Sequence, residues 1–165
     1  MLKPSLKFNI VALVIAATFA FSLQASSQST INDRATALFG AGMSLVQDIT
    51  SSTKSEITQI GNVYSNAIQV ASQNGDRAAA SKLAAQFSRE VKRAVAAGIA
   101  NADDTAKETQ DKLGRLLEAA TMPSTIVKID NYIGLLGVSF RVAKEEIFNA
   151  ENAARKLVSN AALGR

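Results

Sequence analysis

The sequence predicts an all-α protein, an antiparallel bundle of about five amphipathic helices with a long C-terminal helix. Apolar residues recur at helical spacing almost throughout the chain beyond residue 30. Alanine is abundant, and Pro4 and Pro123 are the only prolines. Alternating apolar and polar residues, which indicate strands, are nearly absent.

Local start and stop signals divide the periodic region into segments. Capping boxes open at 53–56 and 105–108, where a Thr and a Glu three residues later can satisfy each other's free backbone N–H groups. Polar runs at 50–52 and 101–104 precede them, and Asn74-Gly75 is a strong stop. The predicted helices are 32–48, 53 up to Asn74-Gly75, 76–99, 105–120 and a fifth after Pro123.

The fifth predicted helix is longer than the others. Its apolar stripe continues for over 30 residues, or roughly 50 Å at the helical rise. We therefore assign the bundle core to 31–137. The extension 138–165 is expected to project from the bundle or to pack on a neighbour, with a folded-back sixth helix as the alternative.

Residues 1–25 have the layout of a secretory signal peptide. Lys3 and Lys7 precede an apolar run at 10–21, which is too short to span a membrane. Cleavage is expected after Ala25 or Ser27, and an uncleaved anchor is the alternative. The bundle domain 26–165 is then a secreted, extracellular protein with no membrane span after cleavage.

The composition argues against several classes of function. The chain has no Cys, no His and no Trp, so the usual nucleophiles, bases and zinc ligands are missing. We expect no enzyme activity, no catalytic residues, no cofactor and no metal site. Without Lys3 and Lys7 the net charge falls from +4 to +2, which gives little support to nucleic-acid binding.

The charges are unevenly distributed along the chain. Basic residues dominate at 77–93, and acidic residues dominate at 103–130. A molecule of this kind can pair antiparallel with a second copy, basic face to acidic face. The alternative is a mixed, solvated surface without a partner.

The sequence around Asn74-Gly75 resembles that of a known protein family. Segments 68–77, 81–83 and 85–87, with Ser55-Glu56-Ile57 and Lys128-Ile129-Asp130, are similar to the N-terminal domain of spider silk proteins (spidroins). The resemblance covers roughly 31–137, although the early Trp of that family is absent. No repetitive region follows the bundle, so the chain is either part of a longer protein or stands alone. Insect fibroin light chains show a weaker likeness.

This resemblance implies five helices and a domain that keeps a silk protein soluble, then dimerises antiparallel as pH and salt fall. It implies that Lys82, with Arg77, is the basic partner, and that Glu56 and Asp130 are the acidic counterparts. Glu90 would be a carboxylate that is protonated later. Such a sensor needs a pKa raised by burial or negative neighbours, since the chain has no His.

Two hypotheses for function follow. The first is a secreted, silk-associated structural or assembly module that forms a homodimer or binds other silk proteins. The alternative is an extracellular carrier of lipid or a small apolar ligand. The many alanines in the helix faces argue against the carrier, because they bury little apolar area.

Overall fold

The computed structural model describes residues 28–164, which form three long helices. Helix α1 spans Gln28–Gln73, α2 spans Arg77–Ala119 and α3 spans Pro123–Ala162. Each helix contacts both others. At 1.5 Å per residue the helices are about 60–70 Å long, so the bundle is an up-down-up rod.

An 11-residue repeat of buried positions runs the length of each helix. Eleven residues in three turns give 3.67 residues per turn, a repeat that keeps each buried stripe continuous and favours a shallow right-handed supercoil. The repeat is unbroken from one helix end to the other. Its best-buried members are Ala35, Val46, Ile57 and Ile68 in α1, Val91, Ala102 and Leu113 in α2, and Leu136, Ile147 and Val158 in α3.

The prediction of five helices is therefore wrong in number, although the all-helical bundle is confirmed. Residues 50–52 and 101–104 are helical, and the repeat passes through both without a change of phase. The buried Thr50 hydroxyl donates to the Val46 carbonyl at 2.6 Å, and the Thr109 hydroxyl donates to Thr105 at 2.8 Å. Side chains that could cap a helix thus bond within it instead.

The two turns lie where the sequence places them. Gly75 has φ +73, and the Asp76 N–H donates to the Ala71 carbonyl at 2.9 Å, which closes the end of α1. Asp76 then caps α2 by accepting from the Ala79 N–H at 2.9 Å. Pro123 occupies the first turn of α3, where its missing N–H has no cost.

Helix α3 packs on the bundle to its end, which corrects the expected projection after Phe140. Ile147 is fully buried, and Ala154, Val158 and Ala161 are nearly so. They belong to the same core cluster as Ile57 of α1 and Val91 of α2. The proposed core 31–137 and extension 138–165 are thus parts of one bundle, whereas the predicted signal peptide 1–25 lies outside the described residues.

Helices α1 and α2 approach closely through reciprocal Gly–Thr contacts. A Cβ placed on Gly42 of α1 would lie 2.6 Å from the Thr109 side chain of α2. One on Gly98 of α2 would collide with the Thr53 side chain of α1. The two contacts are one 11-residue repeat apart on both helices, which sets their antiparallel register.

Helix α3 runs parallel to α1. The Phe39 and Tyr132 rings stack with centroids 4.2 Å apart, and a Cβ on Gly61 would lie 3.0 Å from that of Ala154. These two contacts are 22 residues apart on both helices, so the register is constant along the rod.

The apolar core is divided along the rod. A large cluster lies beside the α1–α2 turn and a second lies at the opposite end. Between them lie a small cluster of Val46, Ala106 and Ala143 and the further buried residues Ile49 and Ala102. The middle of the bundle is narrow, because glycine, alanine and threonine occupy most of its buried positions.

We expect Gly98→Ala to destabilise the bundle by about 1–3 kcal/mol, because the new methyl group must displace Thr53. Gly114→Ala is the matched control. No atom lies within 4 Å of a Cβ built there, so the same change should stabilise the helix by about 0.5–1 kcal/mol. Chemical denaturation followed by circular dichroism measures both.

Thr53→Ala in the Gly98→Ala background should recover part of the lost stability, since it removes the obstructing atoms. Equal stabilisation by Gly98→Ala and Gly114→Ala would contradict this close contact between α1 and α2.

Candidate association surfaces

The five residues proposed for association are dispersed over the three helices. Arg77 and Lys82 are exposed in the first turns of α2, and Asp130 is exposed near the start of α3. The helix registers place Lys82 and Asp130 at opposite ends of the rod, roughly 45–50 Å apart along its axis. Within one chain they do not meet, so a contact between them needs a second molecule.

Glu90 is engaged within the bundle. The Tyr64 hydroxyl of α1 donates to the Glu90 carboxylate of α2 at 2.7 Å, and the Tyr64 ring packs on Phe87 with centroids 6.0 Å apart. Burial raises the pKa of Tyr64 to about 12, helped by the hydrogen bond and negative charge of Glu90. Glu90 thus joins α1 to α2.

Glu56 lies half-buried in the middle of α1. Burial raises the pKa of its carboxyl above the ordinary value of 4.5. Glu56 therefore has the property required of a pH-responsive group.

Cations without ion-pair partners are concentrated in the first half of α2. Five such cations are exposed there, and no anion among the described residues lies within ion-pair distance of any of them. The bundle therefore has a basic end beside the α1–α2 turn. Its cations are Arg77, Lys82, Arg89, Lys92 and Arg93.

Carboxylates dominate the second half of α2. Asp103 and Glu108 pair with Lys107 and Lys112 at 2.6 and 2.7 Å. Three further carboxylates form no ion pair within the part of the chain that the structure describes, and all three are exposed. They are Asp104, Asp111 and Glu118.

Six of the eight unpaired charges lie on one side of α2, here called the α2 outer face. It is opposite the buried stripe, so it follows the same 11-residue spacing and forms continuous rows along the rod. Every residue of the face is exposed. Its members are Ala78, Lys82, Ala85, Arg89, Arg93, Ala96, Ala100, Asp104, Lys107, Asp111, Arg115 and Glu118.

A second surface is an apolar groove between α1 and α3, at the narrow middle of the bundle. Its volume is about 660 Å³. Leu135, Val138 and Val142 of α3 line it while remaining 50%, 44% and 48% exposed. Phe39, Met43 and Val46 line the α1 side, and the carboxylates of Asp48 and Glu146 border it.

Lys54 and Glu146 connect α1 to α3 beside this groove. Their charged groups are 2.7 Å apart, and both side chains remain partly exposed. A pair of this exposure contributes little to stability, about 0–1 kcal/mol. The groove therefore has one unpaired carboxylate, Asp48, at its edge.

The sequence predicted that basic and acidic residues are separated along the chain. It did not predict the α2 outer face or the apolar groove as continuous surfaces. The signal was available, because the 11-residue spacing of Ala35, Val46 and Ile57 can be read from the sequence. Because helix breaks were predicted at 50–52 and 101–104, the 11-residue repeat was not recognised. The helix faces on either side of each break were then assigned separately.

Within residues 28–164, no group of three or more acidic side chains is placed to hold a metal ion. No helix in this range is long and apolar enough to cross a membrane.

No protein-family model matches the chain, and comparisons with characterised proteins and with solved structures find no significant match.

We expect Glu56→Gln to raise the melting temperature at about pH 7. The folded state then no longer holds a half-buried carboxylate, whose charge the unfolded chain solvates freely. Because the folded pKa is raised, this penalty is present above the folded pKa and is relieved as pH falls toward 4.5. The difference between variant and wild type should therefore close at about pH 4.

Thermal unfolding of both proteins at the two pH values measures the effect. Glu145→Gln, at an exposed position of α3, is the control and should change stability little at either pH. A Glu56→Gln advantage that is the same at both pH values would show that the carboxylate charge is not its cause.

Proposed function

We propose that this protein is an extracellular structural module that self-associates, keeping a silk-type protein soluble and assembling it through antiparallel pairing. The observation that carries the proposal is the separation of unpaired charge along α2. Its first half has five exposed cations without partners, and its second half has three exposed carboxylates without partners.

Antiparallel pairing of two rods places the basic end of each beside the acidic end of the other. Complementary charge of this kind favours one orientation and speeds encounter more than it adds affinity. Arg77 and Lys82 would then lie at the same end of the pair as Asp130 of the second copy, an arrangement that one chain cannot make. The result is a closed, two-fold dimer.

The remaining two predicted residues have different roles in this proposal. Glu56 is the candidate for a pH response, because burial raises its pKa. Glu90 fixes Tyr64 and so maintains the α2 surface. The silk association rests on the sequence resemblance around Asn74-Gly75, and the extracellular location rests on the predicted signal peptide.

Catalysis forms no part of the proposal. The chain has neither His nor Cys, and the described carboxylates are distributed along helix surfaces rather than gathered in a pocket.

The mass in solution of residues 26–165 tests the proposal. We expect a dimer at low salt that dissociates at high salt, because its attractive charges are exposed and screened. A larger dimer fraction at about pH 5.5 than at about pH 7.5 would support the pH response. A monomer at low salt and both pH values would refute self-association.

Lys82→Ala should reduce the dimer fraction at low salt. Arg141→Ala removes an equally exposed cation from α3 and is the matched control. An equal loss in both variants would mean that net charge, and not the basic end of α2, governs association.

The apolar groove favours a second candidate, a carrier of a small apolar ligand or lipid. Leu135→Gln should then weaken binding of an uncharged fluorescent probe such as N-phenyl-1-naphthylamine. Val63→Gln alters an exposed valine of α1 that does not line the groove and should leave binding unchanged. No probe binding by the wild type would refute the carrier.

A further inference from the structure

We propose that the α2 outer face is the dimer interface, with two copies of α2 packed antiparallel about a two-fold axis beside Ala100. This deepens the proposed self-association and rests on it. The single step beyond that proposal is the identity of the surface and its centre.

The outermost residues of the face are evenly spaced. Arg89, Ala100 and Asp111 follow one another at intervals of 11 residues, so they form one continuous row on the exposed side of α2. Ala100 is the midpoint. When two such rows pack antiparallel with the alanines opposed, each Arg89 lies opposite Asp111 of the other copy.

The neighbouring row of the face repeats this pattern. Arg93 and Asp104 are also 11 residues apart, and their midpoint lies within half a turn of Ala100. Rows pack against the same rows in an antiparallel pair, so Arg93 meets Asp104 of the second copy. Each of these two pairings occurs twice by symmetry. A single two-fold axis thus brings together four pairs of opposite charge, two from each row.

The other charges on the face do not oppose this arrangement. Lys82 comes level with both Arg115 and Glu118 of the second copy, one cation and one anion. Lys107 is already paired with Asp103 of its own helix at 2.6 Å. The register of the two copies of α2 is therefore set by the four central charged residues, Arg89, Arg93, Asp104 and Asp111.

The centre of the face permits close approach. Ala96 and Ala100 are exposed and small, and they lie between the basic and acidic halves. Contact along about 60 Å of helix and roughly 10 Å of width covers about 600 Å² per copy. That is below the roughly 800 Å² per partner of a standard stable interface, so the dimer should be weak and salt-sensitive.

Charge reversal tests the pairing. Arg89→Asp and Asp111→Arg should each weaken the dimer about tenfold or more at low salt, since each reversal acts at two symmetry-related contacts. The double variant restores opposite charges at both contacts and should regain the wild-type dissociation constant. Arg141→Asp on α3 is the matched control and should weaken the dimer far less.

The axis itself has an independent test, because the chain has no cysteine. A two-fold axis beside residue 100 brings the same position of two copies together. Ala100→Cys should therefore form a disulfide-linked dimer rapidly under mild oxidation, and Arg89→Asp should suppress it. Ala153→Cys, at an exposed position on α3, should cross-link slowly.

The outcomes separate this proposal from the broader one. If the wild type dimerises while the single reversals dimerise equally well and Ala100→Cys cross-links no faster than Ala153→Cys, the interface is wrong and self-association stands. If the wild type is monomeric at low salt, both proposals fail.

Discussion

The close approach of α1 and α2 at glycine is the constraint on which the rest of this structure depends. Gly42 receives Thr109, and Gly98 receives Thr53, with no room for a Cβ on either glycine. The Tyr64–Phe87 contact continues the series one 11-residue repeat further along. Three contacts at one spacing hold the two helices in a single register from Gly42 to Tyr64 of α1.

The same constraint explains the uneven core. Close packing of glycine and threonine leaves little space for large side chains at the middle, so the bulky residues collect in two clusters toward the ends. The buried threonines remain compatible with this middle because their hydroxyls bond to carbonyls one turn earlier. A narrow middle also leaves Leu135, Val138 and Val142 without cover beside α1.

The regular core also orders the outside of the molecule. A buried stripe that repeats every 11 residues leaves exposed rows with the same repeat. On α2 those rows place arginines in the first half and aspartates in the second, in line with one another. Association through such a surface would follow from the helix geometry that packs the core.

The sequence alone determined that the chain is helical and where it turns, at Asn74-Gly75 and before Pro123. These features depend on local chemistry, since glycine tolerates the positive φ of the turn and proline suits the first turn of a helix. Sequence also showed that basic and acidic residues are separated along the chain. It identified Lys82 and Asp130 as members of opposite groups.

Only the tertiary structure decided that helices α1 and α2 continue through 50–52 and 101–104. A threonine followed by a glutamate three residues later can begin a helix or lie inside one. Thr53 lies inside a helix, where it packs against Gly98. Gly98 is distant in sequence, so no local pattern reveals the space that it leaves for Thr53. The continuity of α2, and with it the alignment of Arg89 with Asp111, follows from that packing.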